Sequence, residues 1–254
     1  MPICERDARG HTQGHGSALL VEYSGSNFLV TASHVLAPIR EGRRLYFPAA
    51  THQERTVVGP CLVTKGQNGS VDERDVAVVR LLGNGQPPYP EVDKACLPFA
   101  NLKPHSARRS SMVYFATGFP ATRTKTHVKR QRVEVEPFGH RVPSIDEARY
   151  ASLGLDPRMS IAMQFDVKSV MVATGQRQRA ADPHGMSGSP VWELYDHAGP
   201  NDLRSCVAGI LIEHRPKDKV LIATDISVAI DMIKALATEA ANTAQAIPPK
   251  IAGP

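Results

Sequence analysis

A serine and two residues that could together activate its hydroxyl lie far apart in this sequence. Ser187 sits in the segment GMSGSP at residues 185–190, between Gly185 and Gly188. Serine hydroxyls are poor nucleophiles at neutral pH, so they need a base in hydrogen-bond reach and donors for the oxyanion that forms. Glycine permits the backbone angles that let the amides of Gly185 and Ser187 converge on one point. Ser187 is therefore a candidate nucleophile, on a motif that is weak by itself.

His34 and Asp75 are the candidates for the base and for the group that orients it. His34, in TASHV, ends an apolar β-like run, where a core stops and a cleft can begin. Asp75 opens DVAVVRL, so its carboxylate stands at the mouth of a hydrophobic strand. Taken singly, such a histidine is more often structural and such an aspartate more often a turn residue. The order His34, Asp75, Ser187, however, matches the chain order of one known catalytic triad.

Composition and cysteine usage narrow the class of protein. The 254 residues are 42% hydrophobic, which predicts a globular protein. No apolar run approaches the roughly 20 residues that span a bilayer, and the first residues lack the layout of a secretory signal. The cysteines Cys4, Cys61, Cys96 and Cys206 lie far apart and form no zinc-binding pattern. We therefore predict free thiols, no membrane contact, and neither a metal nor a cofactor. The expected location is the cytoplasm, which free thiols favour, and the alternative is a secretory signal that was removed.

The pattern of short strands separated by turn residues predicts an all-β protein with two lobes. Period-2 alternation and punctuating Gly, Asn and Pro recur along the chain, with a Pro-rich crossover at residues 84–98. The predicted units are an N-terminal segment 1–15, a first lobe 16–98, a second lobe 99–226, a C-terminal helix 227–242, and a tail or linker 243–254.

Two helices interrupt the strands. The first follows a capping-box signature of Ser144 and Glu147 and should end at Gly154. The second should begin near Ser227 as its N-cap. Its apolar residues recur at helical spacing and should pack on the sheet: Ile230, Ile233 and Leu236.

Three ordered motifs together resemble those of the trypsin-like, or chymotrypsin-fold, serine peptidases. TASHV is similar to that family's TAAHC, DVAVVRL to its DIALLKL, and GMSGSP to its GDSGGP, across residues 16–236. The resemblance implies two six-stranded antiparallel β-barrels, a cleft between them, and a C-terminal helix. It also implies that Ser187 attacks a peptide carbonyl, His34 shuttles the proton and Asp75 holds the tautomer of His34. The amides of Gly185 and Ser187 would bind the oxyanion.

Departures from the family pattern indicate a particular branch. Val35 and Pro183 stand where secreted relatives carry cysteines, so two family disulfides are missing. Met186 replaces the aspartate that pairs with a newly cut N-terminus in the animal enzymes, which excludes activation by that salt bridge. The SGSP ending is closer to bacterial members. The resemblance therefore implies a bacterial, disulfide-free type.

The resemblance leaves the specificity of the substrate pocket open. Ala181 takes the place of the acidic pocket base of trypsin, with Asp182 next to it and Glu213 on the expected pocket wall. A basic side chain could be neutralised by Asp182 or Glu213, and an apolar pocket floored by Ala181 and Leu221 is nearly as well supported. Leu211 stands where enzymes that prefer glutamate carry a histidine, which disfavours that preference.

Alternative functions remain at this point. An α/β-hydrolase is disfavoured because its G-x-S-x-G elbow and its βα alternation are both missing. A catalytically silent trypsin-like domain that binds peptides is the serious rival, although the intact triad argues against it. Nucleic-acid binding through the basic stretch Arg123 to Arg132 is the weakest alternative, because no aromatic residues are interleaved there. The expected partners are a protein or peptide substrate and, beyond the tail, a further domain or regulatory protein.

Overall fold

The first half of the chain folds into two sheets. The computed structural model describes residues 1–7, 9–48, 54–64, 74–82, 95–105, 113–127, 132–171, 177–196 and 203–245. Its strands in this half are β1 (Pro2–Arg6), β2 (Thr12–Ser17), β3 (Leu19–Tyr23), β4 (Ser26–Ala32), β5 (Leu45–Pro48), β6 (Glu54–Thr56), β7 (Cys61–Val63), β8 (Val76–Arg80) and β9 (Leu97–Pro98). One sheet has the order β2-β1-β5-β6 and the other β7-β8-β4-β3-β9. The neighbouring strands are antiparallel except β3 and β9.

Strands β4 and β8 form the centre of the first lobe because both of their faces are buried. Phe28 and Val30 of β4 point into one apolar cluster, and Leu29 between them belongs to another. In β8, Val78 belongs to the cluster of Phe28 and Val30, and Val79 belongs to the cluster of Leu29. Apolar residues on both faces explain why these two strands read as nearly continuous hydrophobic runs. A buried strand pair of this kind gives the elements at its ends a rigid base.

The second half of the chain is built on one six-stranded sheet. The described strands of this half of the chain are β10 (Val113–Gly118), β11 (Thr124–His127), β12 (Arg132–Val135), β13 (Phe138–Pro143), β14 (Ser160–Gln164), β15 (Val170–Met171), β16 (Arg177–Gln178), β17 (Pro190–Asp196), β18 (Leu203–Arg215) and β19 (Val220–Asp225). The sheet order is β13-β10-β17-β18-β19-β14, and β11-β12 and β15-β16 form separate pairs. An isolated bridge between Ser144 and Met163 links the two edges of the sheet.

Three α-helices lie between and after these strands in the described part of the chain: α1 (Ala37–Arg40), α2 (Glu147–Leu153) and α3 (Ser227–Gln245). The prediction of α2 and of its end at Gly154 is confirmed, since Gly154 has a left-handed φ of 71°. The predicted cap was wrong. Asp146, not Ser144, is the N-cap, because its carboxylate accepts the amide proton of Arg149 at 2.9 Å.

Helix α3 packs on the first lobe. The prediction that Ile230, Ile233 and Leu236 form its buried stripe is confirmed, because all three lie in one cluster with residues of β4 and β8. Ser227 is the first helical residue rather than the cap, and its amide donates to Asp225 Oδ1 at 2.8 Å. The carboxylate therefore performs the capping predicted for the serine hydroxyl. No helix in the described ranges is long and apolar enough to cross a membrane.

The all-β architecture with two lobes and a C-terminal helix is confirmed. The first lobe contains a four-stranded and a five-stranded sheet instead of the six strands expected. Residues 1–15, which were expected to lie outside the lobe, contribute β1 and most of β2 to it. Most of the Pro-rich connection, residues 83–94, and the tail from residue 246 lie outside the described residues. Strand β11 lies within the basic stretch Arg123 to Arg132 and pairs antiparallel with β12, which begins at Arg132.

Candidate active site

The pairing of β4 with β8 brings His34 and Asp75 together. Ala32, at the end of β4, lies opposite Val76, at the start of β8. Immediately beyond this pair, the Ser33 amide donates to the Asp75 carbonyl at 2.8 Å. The chain after β4 then turns through a 3₁₀ helix at Ser33–Leu36, which carries His34. Two residues 41 positions apart are thus fixed by the register of two buried strands.

The carboxylate of Asp75 binds both the backbone and the ring of His34. Its Oδ1 accepts the His34 amide proton at 3.0 Å, and its Oδ2 contacts the imidazole Nδ1. Asp75 has a φ of 34°, a conformation that aspartate tolerates better than most residues. Its side chain is 18% exposed, whereas that of His34 is 51% exposed. Because Nδ1 is engaged, Nε2 is the ring nitrogen that remains to act as a base.

The loop that carries Ser187 is held in an unusual backbone conformation. Gly185 and Gly188 have φ values of 88° and 87°, in the region that favours glycine. The Gly188 amide donates to the Leu211 carbonyl at 2.7 Å, which fixes the loop to β18. Within the described chain, the amides of Gly185 and Ser187 donate to no protein acceptor. Two free amides beside the serine are the arrangement that an oxyanion hole requires.

Ser17 ties the serine loop to the first lobe, and sequence reasoning missed it. Its amide donates to the Ser187 carbonyl at 2.8 Å, and its hydroxyl donates to the Gly185 carbonyl at 2.9 Å. That hydroxyl also accepts the Phe119 amide proton at 3.0 Å, and the Ser17 carbonyl accepts from Thr31 Oγ1 at 2.7 Å. Nothing in the strand sequence around Ser17 signals this role, because each partner is distant in the chain.

A second contact between the lobes reaches the loop of Asp75. Thr224 on β19 is 1% exposed, and its hydroxyl donates to the carbonyl of Arg74. Arg74 directly precedes Asp75, so this hydrogen bond from the second lobe stabilises the backbone next to Asp75. Both lobes therefore fix the arrangement, with Ser187 on one and the His34–Asp75 pair on the other.

A cavity of about 320 Å³ opens beside Ser187. One side is the serine loop, and the other is the end of β18 with the turn that follows it. The described lining residues are Asp182, Pro183, His184, Gly185, Ser187, Leu211, Ile212, Glu213, His214 and Pro216. Of the predicted pocket residues, the structure places Asp182, Leu211 and Glu213 here. His184 and His214 were not anticipated.

Two of the predicted pocket residues lie elsewhere. Leu221 is 1% exposed and packs in the core of the second lobe, and Ala181 is partly buried against that same core. Neither is among the described residues that line the cavity. Successive residues of β19 alternate between clusters, so the side chain of Leu221 is directed into the lobe. The apolar floor expected from these residues is therefore not found.

Comparison with known families agrees with this geometry. The model of a family described as a trypsin-like peptidase domain matches residues 16–197. The chain belongs to the trypsin-like peptidase family. The search among curated proteins gave no match. The matched range contains His34, Asp75 and Ser187.

This trypsin-like peptidase domain has all four of its cysteines as free thiols. At the position next to the serine, Met186 is 2% exposed and packs in the core of the second lobe. An apolar side chain here offers no charge to an amino terminus. In the described contacts, no hydrogen bond joins the Ser187 hydroxyl to His34. Catalytic hydrogen bonds are often long in unliganded enzymes and shorten when substrate binds.

Replacement of Gly188 with alanine is expected to destabilise the trypsin-like peptidase domain. A Cβ at this residue would lie 2.0 Å from the Ser17 carbonyl oxygen and 2.1 Å from Thr31 Oγ1. The positive φ adds strain, so we expect the free energy of unfolding to fall by more than about 2 kcal/mol. Urea unfolding monitored by fluorescence measures this change.

Ser189→Ala, in the same motif, is the matched control. Ser189 is fully buried, and its hydroxyl has no partner among the described residues. Removing an unsatisfied hydroxyl should change the free energy of unfolding by less than about 1 kcal/mol. Equal losses in the two variants would contradict the proposed close approach of Gly188 to the first lobe.

Proposed function

We propose that this trypsin-like peptidase domain is an active serine endopeptidase with His34, Asp75 and Ser187 as its triad. The observation that carries the proposal is the double contact of the Asp75 carboxylate with the backbone and ring of His34. A carboxylate bound in this way holds the imidazole in one orientation and one tautomer. Such a pair, together with a serine whose neighbouring amides are free, supports acyl transfer.

The proposed reaction proceeds through an acyl-enzyme. His34 Nε2 accepts the hydroxyl proton as Ser187 Oγ attacks the peptide carbonyl, and the negative oxygen is bound by the amides of Gly185 and Ser187. The imidazolium then donates that proton to the leaving amine, and the C–N bond breaks. Water, deprotonated by His34, attacks the ester carbonyl and releases the acid, with the proton returned to Ser187. Asp75 stabilises the imidazolium without taking its proton.

Strand β18 supports the binding of an extended peptide. β18 continues to Arg215, but its pairing with β17 ends where Pro190 lies opposite Ile210. At Leu211 the serine loop still occupies that edge, because the Leu211 amide donates to the Ser189 carbonyl at 2.8 Å and the Leu211 carbonyl accepts from the Gly188 amide at 2.7 Å. Beyond Leu211, β19 pairs with one edge of β18, while in the described chain no strand pairs with the other. That edge lies beside the cavity next to Ser187. A substrate segment can add to it as a strand, with alternate side chains entering pockets.

We place the enzyme in the cytoplasm of a bacterium. The support for a reducing compartment is the set of four cysteines that remain free thiols. The bacterial origin rests on the SGSP ending of the serine motif. In such a setting the substrate is an intracellular protein or peptide.

Covalent labelling with a fluorophosphonate probe tests the proposal. Fluorophosphonates react only with a serine that a neighbouring base activates, so we expect one adduct per chain, on Ser187. Intact-mass spectrometry measures the adduct, and peptide mapping assigns its position. The Ser187→Ala variant should remain unlabelled.

The rival function, a silent domain that binds peptides, makes the opposite prediction. A folded, unmodified protein that does not label would refute an active triad and favour the binding function. Labelling that persists in Ser187→Ala would show that another residue is the nucleophile. The same lysate digested with native protein and with Ser187→Ala, and compared by mass spectrometry, would then identify the cleavage sites.

A further inference from the structure

Strand β2 contains a bulge at His15. In the pairing of β1 with β2, the consecutive residues Ile3 and Cys4 lie opposite Gly16 and Gly14, so His15 is the extra residue. An extra residue bends its strand and redirects its own side chain, and such bulges are frequent beside active sites. The orientation of the His15 side chain is therefore set by the bulge rather than by the regular alternation of β2.

The ring of His15 contacts the residue that follows His34. Its Nε2 lies 3.1 Å from the carbonyl oxygen of Val35, which belongs to the 3₁₀ helix that carries His34. Strand β2 also approaches the side chain of Val35 closely, since a Cβ at Gly16 would lie 2.6 Å from Val35 Cγ1. The bulged strand therefore binds the carbonyl of Val35 and packs against its side chain.

The other ring nitrogen of His15 faces a buried carboxylate. Its Nδ1 lies 3.6 Å from Glu5 Oε2 on β1, and the side chain of Glu5 is 7% exposed. The other oxygen of Glu5 forms an ion pair with Arg43 Nη1, and Arg43 Nη2 lies 2.6 Å from Glu41 Oε2. The amide of Arg43 donates to the Pro38 carbonyl at 2.9 Å, within the segment that follows the 3₁₀ helix. The charged groups around the ring are therefore fixed by their own contacts.

The neutral ring of His15 carries its proton on Nε2. Burial lowers the pKa of His15 below its ordinary value, and the charges of Arg43 and of protonated His34 act in the same direction. Glu5 and the contact with the Val35 carbonyl act in the opposite direction, but burial is the largest influence. The ring is therefore neutral at about pH 8. Because a carbonyl oxygen can only accept a hydrogen bond, the single proton lies on the nitrogen that contacts Val35.

We propose that His15 is a positioning residue, which holds His34 in place by donating a hydrogen bond to the carbonyl of Val35. Asp75 fixes the amide and the ring of His34 from the start of β8. His15 fixes the next residue of the same 3₁₀ helix from β2. The inference rests on the proposed endopeptidase function, because it assigns His15 a part in that reaction, but the anchor itself can be tested without catalysis.

Two amide substitutions that differ only in their reach test this hydrogen bond. The amide of His15→Gln can take the place of Nε2 and donate to the Val35 carbonyl, whereas the shorter amide of His15→Asn reaches only the place of Nδ1. At about pH 8, kcat for casein hydrolysis should stay within about three-fold of native in His15→Gln and fall at least about ten-fold in His15→Asn, because small displacements of a catalytic group are costly. KM should not change, since His15 is not among the described residues that line the cavity beside Ser187.

His11→Asn is the matched control in the same pair of strands. His11 Nδ1 lies 3.4 Å from Asp7 Oδ2, so it also forms a histidine–carboxylate pair, and in the described contacts neither side chain bonds to the 3₁₀ helix. Its kcat should remain native. Urea unfolding of the variants separates a loss of activity from a loss of fold. A His15→Asn protein that is less stable than native but retains native kcat would show a purely structural role and overturn the proposal.

Hydrogen exchange of the His34 amide tests the anchor without catalysis. This amide donates to Asp75 Oδ1, and its exchange requires local opening of the 3₁₀ helix. In His15→Asn the exchange should accelerate at least about ten-fold, while His15→Gln and His11→Asn should keep the native rate. The Leu211 amide, which is hydrogen-bonded in the second lobe, is the reference for global unfolding and should keep its native rate in all three variants. Heteronuclear NMR measures both rates.

The results separate this inference from the proposed function. If Ser187 labels with a fluorophosphonate, but His15→Asn has native kcat and native exchange of the His34 amide, the anchor is refuted and the enzyme stands. If Ser187 does not label, faster exchange in His15→Asn alone would support the anchor and leave the binding function in place of the enzyme. Equal losses in His15→Gln and His15→Asn would show that reach to the Val35 carbonyl is irrelevant, and they would also overturn the inference.

Discussion

Replacement of His34 with alanine is expected to lower kcat by about 10⁶-fold, the effect of removing the base from a serine triad. In the proposed mechanism, the imidazole of His34 is the group that takes the proton of Ser187. The His34 side chain is half exposed, so the free energy of unfolding should change by less than about 1 kcal/mol. Hydrolysis of fluorescently labelled casein measures the activity, and urea unfolding checks the fold.

The double variant His34→Ala/Ser187→Ala is the control for this prediction. Members of a triad act as one unit, so the double variant should be no slower than either single variant. The activity that remains would come from substrate binding and from the free amides of Gly185 and Ser187. A further large loss in the double variant would show that His34 and Ser187 act independently, and it would contradict the triad.

The two strands that position His34 and Asp75 could be predicted because their apolar pattern is local. β4 and β8 are buried on both faces, so their hydrophobic runs are visible in the sequence without knowledge of their partners. Each candidate residue then follows or precedes such a run. The direct contact of His34 with Asp75 could not be derived, because it depends on the register that sets Ala32 opposite Val76. Register is a property of the pair, not of either strand.

Ser17 and the specificity cavity depended on tertiary contacts in the same way. The partners of Ser17 are 102 and 168 residues away in the chain, at Phe119 and Gly185. The resemblance to trypsin-like peptidases identified Asp182 and Glu213 as neighbours of the pocket. It could not show that Arg215 neutralises Glu213 or that Leu221 turns into the core.

The N-caps of α2 and α3 were also predicted incorrectly, because a local pattern does not show tertiary contacts. The capping-box pattern at Ser144 is a local signal, but Ser144 bridges to Met163 of β14 instead. Asp146 then caps α2, and Asp225 performs the same function before Ser227. In both helices a carboxylate replaced the predicted serine hydroxyl. At Ser144, an isolated backbone bridge thus takes the place of the cap that the sequence alone favoured.

Asp75→Asn is expected to lower kcat by about 10⁴-fold without loss of the fold. The asparagine oxygen can still accept the His34 amide proton, and asparagine tolerates the φ of 34° found here. The amide NH₂ would then face Nδ1 and donate to it. That contact favours the tautomer with its proton on Nε2, which cannot accept the proton of Ser187. Casein hydrolysis measures the loss of activity.

The same substitution at the cap of α2 is the matched control. Asp146→Asn removes one carboxylate but keeps a good N-cap, so neither kcat nor the free energy of unfolding should change appreciably. An equal loss of activity in both variants would indicate a general effect of charge. A folded Asp75→Asn protein with native activity would show that the carboxylate does not set the tautomer of His34. Because Asp75 makes two contacts with one residue, only the ring contact changes in this variant, and its contribution is measured separately from the backbone anchor.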